Sequence, residues 1–445
     1  APTSNVDMYN VAVGLNAGTA ITTGIKNTLI GGLAGDVLTD ADSNVAIGFA
    51  ALSSDTLGSK SVAIGTATLN NQNFTSATDS FNTAVGHEAG LAVTTGTQNT
   101  FIGGLAGDAN TTASNNTALG YLALSANTTG ASNVAIGVGA VDSNTTGANN
   151  VGMGVNSLGS NTTASNNTAV GHASLSTATT AANNTAVGQG SLSATTTGAN
   201  NTALGRSALG ANTTGAGNTA VGQGSLSANT TASNNTAVGL DALVTNTTGT
   251  GNVGIGRLAL KENTTADNNT AVGFNSLVAN TTGAGNTAMG SVAGLAVTTG
   301  SNNSLFGFGS GDATTTGGSN VALGAFSLSA NTTADNNTAI GRSALAVNTT
   351  GTQNVAVGAF AADAITDADF NIAIGVNALG TNTLGSRNVA IGQQALQTAN
   401  VTSAADTHNV AVGYQAGAAV TTGTANTFIG GLAGDSLTTG SNNIM

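Results

Sequence analysis

The sequence contains no cysteine, no tryptophan and a single proline. Only 6% of its 445 residues are charged and only 3% are aromatic. The absence of cysteine excludes disulfide bonds, and the scarcity of large side chains excludes a thick globular core. The fold must therefore be stabilised by regular packing of small residues, among which glycine is prominent with 64 copies.

Positive charge is also scarce. Seven Lys and Arg stand against nineteen Asp and Glu, which gives a net charge of −12. Such a chain cannot form the basic patch that attracts nucleic acid or an anionic membrane. No apolar run approaches the roughly 20 residues that a bilayer span needs. We therefore expect no nucleic-acid partner and no membrane insertion.

Catalytic groups are rare. The three histidines, His87, His172 and His408, lie far apart in the chain. The only glutamates are Glu88 and Glu262. A nucleophile, a base and an orienting group cannot be assembled from residues spaced in this way. We expect no catalytic residues and predict that the protein is not an enzyme.

What the sequence does contain is a repeat of 17 residues. A motif such as Asn44-Val45-Ala46-Ile47-Gly48 recurs twenty-five times, and its last residue is called the motif glycine below. Two intervals, 65–86 and 392–413, are 21 residues long because each carries four extra residues. A fixed period of this kind indicates stacked coils. We predict an all-β parallel solenoid, or β-roll, of about 25 coils.

The repeat also predicts the organisation of the chain. A solenoid grows by adding coils, so we expect one domain over residues 1–445. Two elaborated blocks, 1–112 and 354–445, flank a regular centre, 113–353. Residues 44–112 recur with little change as residues 371–439, which indicates either a duplication or two ends built to meet.

Each coil is predicted to be a short strand followed by turns. The apolar residue before the motif glycine shares a strand face with the residue three before it, and we expect this face to be buried. Leu four residues after the glycine, as in Leu52 and Leu124, adds a core contact. The Asn that opens the motif, and the Asn of a recurrent Asn-Thr-Thr, are expected at corners in the left-handed conformation, stacked as ladders.

The motif glycine stands where the strand turns. We expect a positive φ or a close backbone approach at this corner, because glycine accepts either. The structural corner positions taken as examples are Gly14, Gly31, Gly48, Gly120, Gly239 and Gly430.

The motif resembles a known repeat. Segments 44–48, 133–137 and 388–392, which all read Asn-Val-Ala-Ile-Gly, resemble the YadA-like head repeat of trimeric autotransporter adhesins and similar repeats of phage tail-fibre proteins. The resemblance covers nearly the whole chain, with one motif per coil. It implies a left-handed parallel β-roll, usually trimeric, that presents an adhesive surface outside a bacterial cell. We expect a secreted fibre or adhesin, with a phage tail-fibre component as an alternative.

Ice binding is a further alternative, because stacked Thr-Thr pairs resemble the threonine arrays of ice-binding solenoids. Against it, adjacent residues such as Thr128 and Thr129 must point to opposite faces. Asn-Thr-Thr, as at Asn127, is formally a glycosylation sequon, but a repeat that needs Asn at its corners produces such matches by accident.

The ends suggest how the protein is exported and how it assembles. The start Ala1-Pro2-Thr3-Ser4 is typical of a new N-terminus after signal-peptide removal, so we expect an extracellular or cell-surface location. Asn443, Ile444 and Met445 begin a further strand, and neither end shows a cap. We hypothesise that subunits stack head to tail into a filament, with a homotrimer as the other form of self-association. A host surface or matrix ligand is the candidate partner of an adhesin.

Eight coils carry Gly in place of the core Leu, in four adjacent pairs. Either neighbouring large residues refill the vacated volume, or these coils expose apolar spots for lateral contacts. Acids in and near such coils are candidate Ca²⁺ ligands, with solvated turn acids as the alternative. The calcium candidates are Asp36, Asp40, Asp42, Asp363, Asp367 and Asp369; no other cofactor is expected.

Overall fold

The chain forms an all-β parallel solenoid of about 25 turns, as the 17-residue repeat predicts. The computed structural model describes residues 8–445, which contain no helix. They form two compact units, divided between Asn218 and Thr219, and each unit is a stack of turns with one three-residue strand per turn. One domain over residues 1–445 stays a prediction. The proposed signal-cleavage site at Ala1-Pro2-Thr3-Ser4 lies outside the described residues.

The strands are numbered in chain order. In the first unit they are β1 (Val11–Val13), β2 (Thr28–Ile30), β3 (Val45–Ile47), β4 (Gly58–Ser59), β5 (Val62–Ile64), β6 (Thr78–Asp79), β7 (Thr83–Val85), β8 (Thr100–Ile102), β9 (Thr117–Leu119), β10 (Val134–Ile136), β11 (Val151–Met153), β12 (Thr168–Val170), β13 (Thr185–Val187) and β14 (Thr202–Leu204). In the second unit they are β15 (Thr219–Val221), β16 (Thr236–Val238), β17 (Val253–Ile255), β18 (Thr270–Val272), β19 (Thr287–Met289), β20 (Ser304–Phe306), β21 (Val321–Leu323), β22 (Thr338–Ile340), β23 (Val355–Val357), β24 (Ile372–Ile374), β25 (Gly385–Ser386), β26 (Val389–Ile391), β27 (Ala405–Asp406), β28 (Val410–Val412) and β29 (Thr427–Ile429).

Within each unit, a three-residue strand pairs in parallel with the strand one turn later. In β3 and β5, for example, Val45 lies opposite Val62 and Ala46 lies opposite Ala63. Equivalent positions of the repeat therefore stack into columns. The two-residue strands pair as β4 with β6 and β25 with β27, beside the two four-residue insertions.

The buried face of the strand is the opposite of the one we expected. Ala46 is fully buried, whereas Val45 and Ile47 on its two sides are half-exposed. The facing wall leaves little space at this position in an ordinary turn: where Gly152 replaces the Ala, an added Cβ would lie only 2.4 Å from Val141 Cγ2. The core is thus made of the strand Ala and of Leu from the opposite wall, such as the fully buried Leu52.

Two columns of fully buried Asn complete the interior. Asn44 donates its backbone N–H to Asn27 Oδ1 at 2.9 Å, and its Nδ2 donates to the Gly58 carbonyl at 2.9 Å. These bonds recur from turn to turn, so the predicted ladder is confirmed. The predicted left-handed conformation is wrong for both kinds of Asn, since neither Asn44 nor Asn127 has a positive φ; beside Asn44 it falls instead on the exposed preceding residue, Ser43, with φ 59°. The Asn itself lies inside, where its backbone N–H belongs to the ladder.

Candidate functional surface

The motif glycines lie at a tight corner between turns. The six examples have φ between 131° and 139°, a range that disfavours every residue with a side chain. A Cβ at Gly48 would also lie 2.2 Å from the Gly65 carbonyl oxygen of the next turn. Their role is therefore structural. At Gly430 no backbone atom is so close, and φ alone constrains the residue.

The outer sheet face consists of the residues one and three before each motif glycine, and it points away from the core. The residue before the glycine is apolar in every turn. Leu119 and Leu204 in the first unit are 45% and 48% exposed, and Leu323 in the second is 48% exposed. Each unit therefore carries a continuous apolar column on its surface, with one side chain about every 4.8 Å.

Sequence reasoning missed this column. Strand alternation shows which residues share a face, but it does not show which face is inside. The usable signal was size, because Ala at the middle strand position is small enough for a narrow interior.

Threonines form two further columns. The residue three before the motif glycine is usually Thr or Val, as in Thr117 and Val134, and it lies on the outer sheet face. In the Thr-Thr pairs, Thr128 Oγ1 donates to the Thr145 carbonyl at 3.0 Å, whereas Thr129 is exposed. The strand threonines, rather than the Thr-Thr pairs, therefore share a face with the apolar column.

Aromatic side chains lie exposed just after the motif glycine in the second unit. Phe308 and Phe326 meet edge to face with ring centroids 5.2 Å apart. The Arg257 guanidinium lies 5.7 Å from the Phe274 ring centroid. Aromatic rings and cations therefore lie next to the outer sheet face.

The coils with Gly in place of Leu are filled by neighbouring side chains. A Cβ at Gly90 would lie 2.9 Å from the Phe101 ring, and a Cβ at Gly107 would lie 2.5 Å from it. The ring therefore occupies the space that Leu fills elsewhere. The residues that refill these pairs are fully buried, apart from the half-buried Ile21: Leu29, Val93, Phe101, Val297, Leu305, Val420 and Phe428. The compensation hypothesis is confirmed for these seven side chains, which are packed inside and are not exposed apolar spots.

The acids considered as calcium ligands do not converge. Within residues 8–445, no three acidic or histidine side chains come close enough to hold a metal ion together. The carboxylates of Asp40, Asp42, Asp367 and Asp369 accept hydrogen bonds from the preceding turn. Asp36 and Asp363 are half-buried. Calcium binding therefore gains no ligand set within the described residues.

The candidate assembly residues Asn443, Ile444 and Met445 lie beside β29. Ile444 bridges to Thr427, and the Ile429 N–H donates to the Met445 carbonyl at 2.9 Å. They continue the stack by one partial strand, while head-to-tail assembly through them stays a prediction.

No protein-family model matches this chain, and no curated protein matches it. Residues 8–445 also contain no helical segment with the length and hydrophobicity of a membrane span. The resemblance to the YadA-like head repeat therefore rests on the motif itself.

Proposed function

We propose that this chain is a non-enzymatic structural protein of an extracellular fibre or adhesive surface, and that copies associate through the outer sheet face. The observation that carries the proposal is the composition of that face. Its two columns, the residues one and three before each motif glycine, contain no charged residue in any of the twenty-five turns. The chain as a whole has a net charge of −12. An exposed apolar surface of this extent is typical of a surface that another molecule covers.

The interior supports a mechanical role. Within each unit, buried Asn ladders link most turns to the next by side-chain bonds in addition to the strand pairing, as in Asn144 Nδ2, which donates to Asn127 Oδ1 at 2.7 Å. Opening one turn breaks these bonds and leaves buried amides of the neighbouring turns without a partner, which is unfavourable. Such a unit resists local unfolding, as a fibre component must.

The area of the face suits a second copy of the chain. In the first unit, twelve strands at about 4.8 Å spacing and about 10 Å length give a face of about 600 Å². Stable interfaces bury about 800 Å² on each partner, so one unit already provides most of that area. The exposed aromatic rings beside this face remain for a host surface or matrix ligand.

The test replaces apolar residues of this face by lysine. Leu119→Lys with Met153→Lys places two charges on the outer sheet face without touching the core, since both side chains point outward. We expect the wild-type chain to sediment as oligomers or fibres and the variant to associate at least about tenfold more weakly, because buried unpaired charge is unfavourable. Negative-stain microscopy gives the form of the assembly.

The matched control is Thr129→Lys with Thr163→Lys, which adds the same charge at exposed positions outside the outer sheet face. It should associate like the wild type. A wild-type chain that stays monomeric, or a Leu119 and Met153 variant that still assembles, would refute association through this face.

Ice binding is the second candidate, because threonines do lie on the outer sheet face. Thr117 and Leu119 stand two residues apart on one strand, about 7 Å, and the pattern repeats about every 4.8 Å from turn to turn. Methyl and hydroxyl groups in a regular array can order water. A monomeric chain that shapes ice crystals at micromolar concentration would favour this candidate, and unshaped crystals would remove it.

A further inference from the structure

The repeat contains two kinds of glycosylation sequon. The first is Asn-Thr-Thr, whose Asn lies in a ladder. The second is Asn-Asn-Thr or Asn-Asn-Ser, whose first Asn lies five residues before the motif glycine. The Asn residues of this second kind, called the corner asparagines below, are Asn115, Asn166, Asn183, Asn200, Asn234, Asn268, Asn302 and Asn336.

The Asn-Thr-Thr sequons are closed to any enzyme in the folded chain. Asn144 Nδ2, for example, donates to Asn127 Oδ1 and, at 2.9 Å, to the Gly147 carbonyl. All members of this kind are fully buried: Asn110, Asn127, Asn144, Asn161, Asn212, Asn229, Asn246, Asn263, Asn280, Asn331 and Asn348. A modifying enzyme reaches them only after the ladder opens.

The corner asparagines have the opposite environment. All eight are exposed and have φ between 59° and 63°, so each stands in a tight turn at the surface. Within the described residues, their side-chain amides make no hydrogen bond. The hydroxyl residue two positions later, such as Thr117, begins the strand and faces outward. Both groups that define a sequon are therefore on the surface.

We propose that the corner asparagines are acceptor sites for N-linked glycans. The reacting atom is Nδ2, which forms a bond to the anomeric carbon of a lipid-linked oligosaccharide while the bond from that carbon to the diphosphate breaks. The amide loses one proton, and the lipid diphosphate leaves. Asn166, Asn183 and Asn200 lie on consecutive turns about 4.8 Å apart, closer than the width of a glycan. A glycan on one of these three shields the others, so their summed occupancy stays below that of three isolated sites.

The experiment treats the purified, folded chain with an oligosaccharyltransferase and a lipid-linked oligosaccharide, and maps glycopeptides by mass spectrometry. We expect occupancy at isolated corner asparagines such as Asn115 and Asn336 to exceed that of every Asn-Thr-Thr sequon by more than about tenfold, because the latter require local opening. In a proteolytic digest of the same protein, both kinds become acceptors and the difference disappears.

The variant Thr117→Val removes the sequon of Asn115 and retains the fold, since Val134 occupies the same repeat position one turn later. It should lose modification at Asn115 alone, whereas Thr129→Val should leave the map of the folded chain unchanged. Corner asparagines that stay unmodified while the digest is modified would overturn the proposal. So would equal modification of both kinds in the folded chain.

Discussion

The two turns that carry a four-residue insertion have a charged pair at equivalent positions on the outside. In the first unit Lys60 Nζ lies 2.5 Å from Asp79 Oδ2, and in the second Arg387 Nε lies 3.0 Å from Asp406 Oδ2. Each cation also lies over a phenylalanine ring. The interiors of these turns differ, although the surrounding blocks 44–112 and 371–439 are otherwise close copies.

In block 44–112, one glutamine connects the interior. Gln72 Nε2 donates to Asp55 Oδ2 at 2.7 Å and to Ser61 Oγ at 2.8 Å, and Gln72 Oε1 accepts from Asn82 Nδ2 at 2.8 Å. Ser61 stands where the ladder has Asn in the neighbouring turns. Gln72 therefore reaches across from the facing column and supplies the missing amide.

In block 371–439 the large and the small residue are exchanged between the two columns. Asn388 stands at the ladder position and accepts the Asn409 N–H at 3.1 Å, while the small Ala399 stands at the position of Gln72. Asn382 replaces Asp55, and within the described residues its side chain bonds only to the backbone of Gly385. The ladder therefore needs one amide at this level, and either column can supply it when the other column provides the space.

The largest expected effect concerns the aromatic residue that both blocks share. Phe101→Ala and Phe428→Ala each remove a fully buried ring above glycine and should destabilise their turns by about 3 to 5 kcal/mol. Phe101→Leu is the control, because Leu29 occupies the equivalent position, and it should lose less than about 1.5 kcal/mol. Hydrogen exchange of the flanking strands measures each block separately. A small loss for either Phe→Ala variant would show that its turns do not depend on the ring.

The spacing of the repeat was enough to predict the turn count, the corner glycines, the buried Leu52 and the Asn27 ladder, because all of them depend on period. It could not predict that Ala46 rather than Ile47 faces inward, since alternation is the same for both choices. The repeat spacing could not predict the hydrogen bonds of Gln72 either, because they join two columns whose separation only the folded structure defines.

Removing the glutamine tests whether the amide is needed. Gln72→Ala leaves the buried Asp55 carboxylate and the Asn82 amide each without one partner, which should destabilise block 44–112 by about 1 to 3 kcal/mol. Adding Ser61→Asn recreates the arrangement of the other block and should recover part of that loss. A double-mutant cycle measures this coupling. Additive effects of the two substitutions would contradict exchange between the columns.

The buried Asp55 carboxyl should make the stability of block 44–112 depend on pH, with a smaller effect than the loss of Gln72. Burial raises the pKa of the Asp55 carboxyl above its ordinary value of 3.8, although hydrogen bonds from Gln72 and from the backbone of Phe74 and Gly58 oppose the shift. The folded state then binds the proton more tightly than the unfolded chain. The contribution of this group to stability is therefore present at low pH and is lost as pH rises from 3.8 through the raised pKa.

Exchange protection of block 44–112, corrected for intrinsic rates, should fall across that window more than protection of block 371–439. Asp55→Asn should flatten the profile, and Asn382→Asp should introduce the dependence in the other block. Burial also raises the pKa of Asp108 in block 44–112. Asp108→Asn is therefore the control, and it should remove only part of the pH dependence of this block. An unchanged profile in Asp55→Asn would assign the dependence elsewhere.

The smallest effect should come from the charged pairs that the two turns have in common. Both pairs are about half exposed, and exposed ion pairs contribute about 1 kcal/mol or less. Lys60→Ala and Arg387→Ala should therefore destabilise their blocks equally and slightly, and the loss should shrink further in 1 M salt because screening already weakens the pair. Hydrogen exchange at low and high salt checks both points. A loss as large as that of Gln72→Ala would mean that the exterior, rather than the exchanged interior, holds the insertion in place.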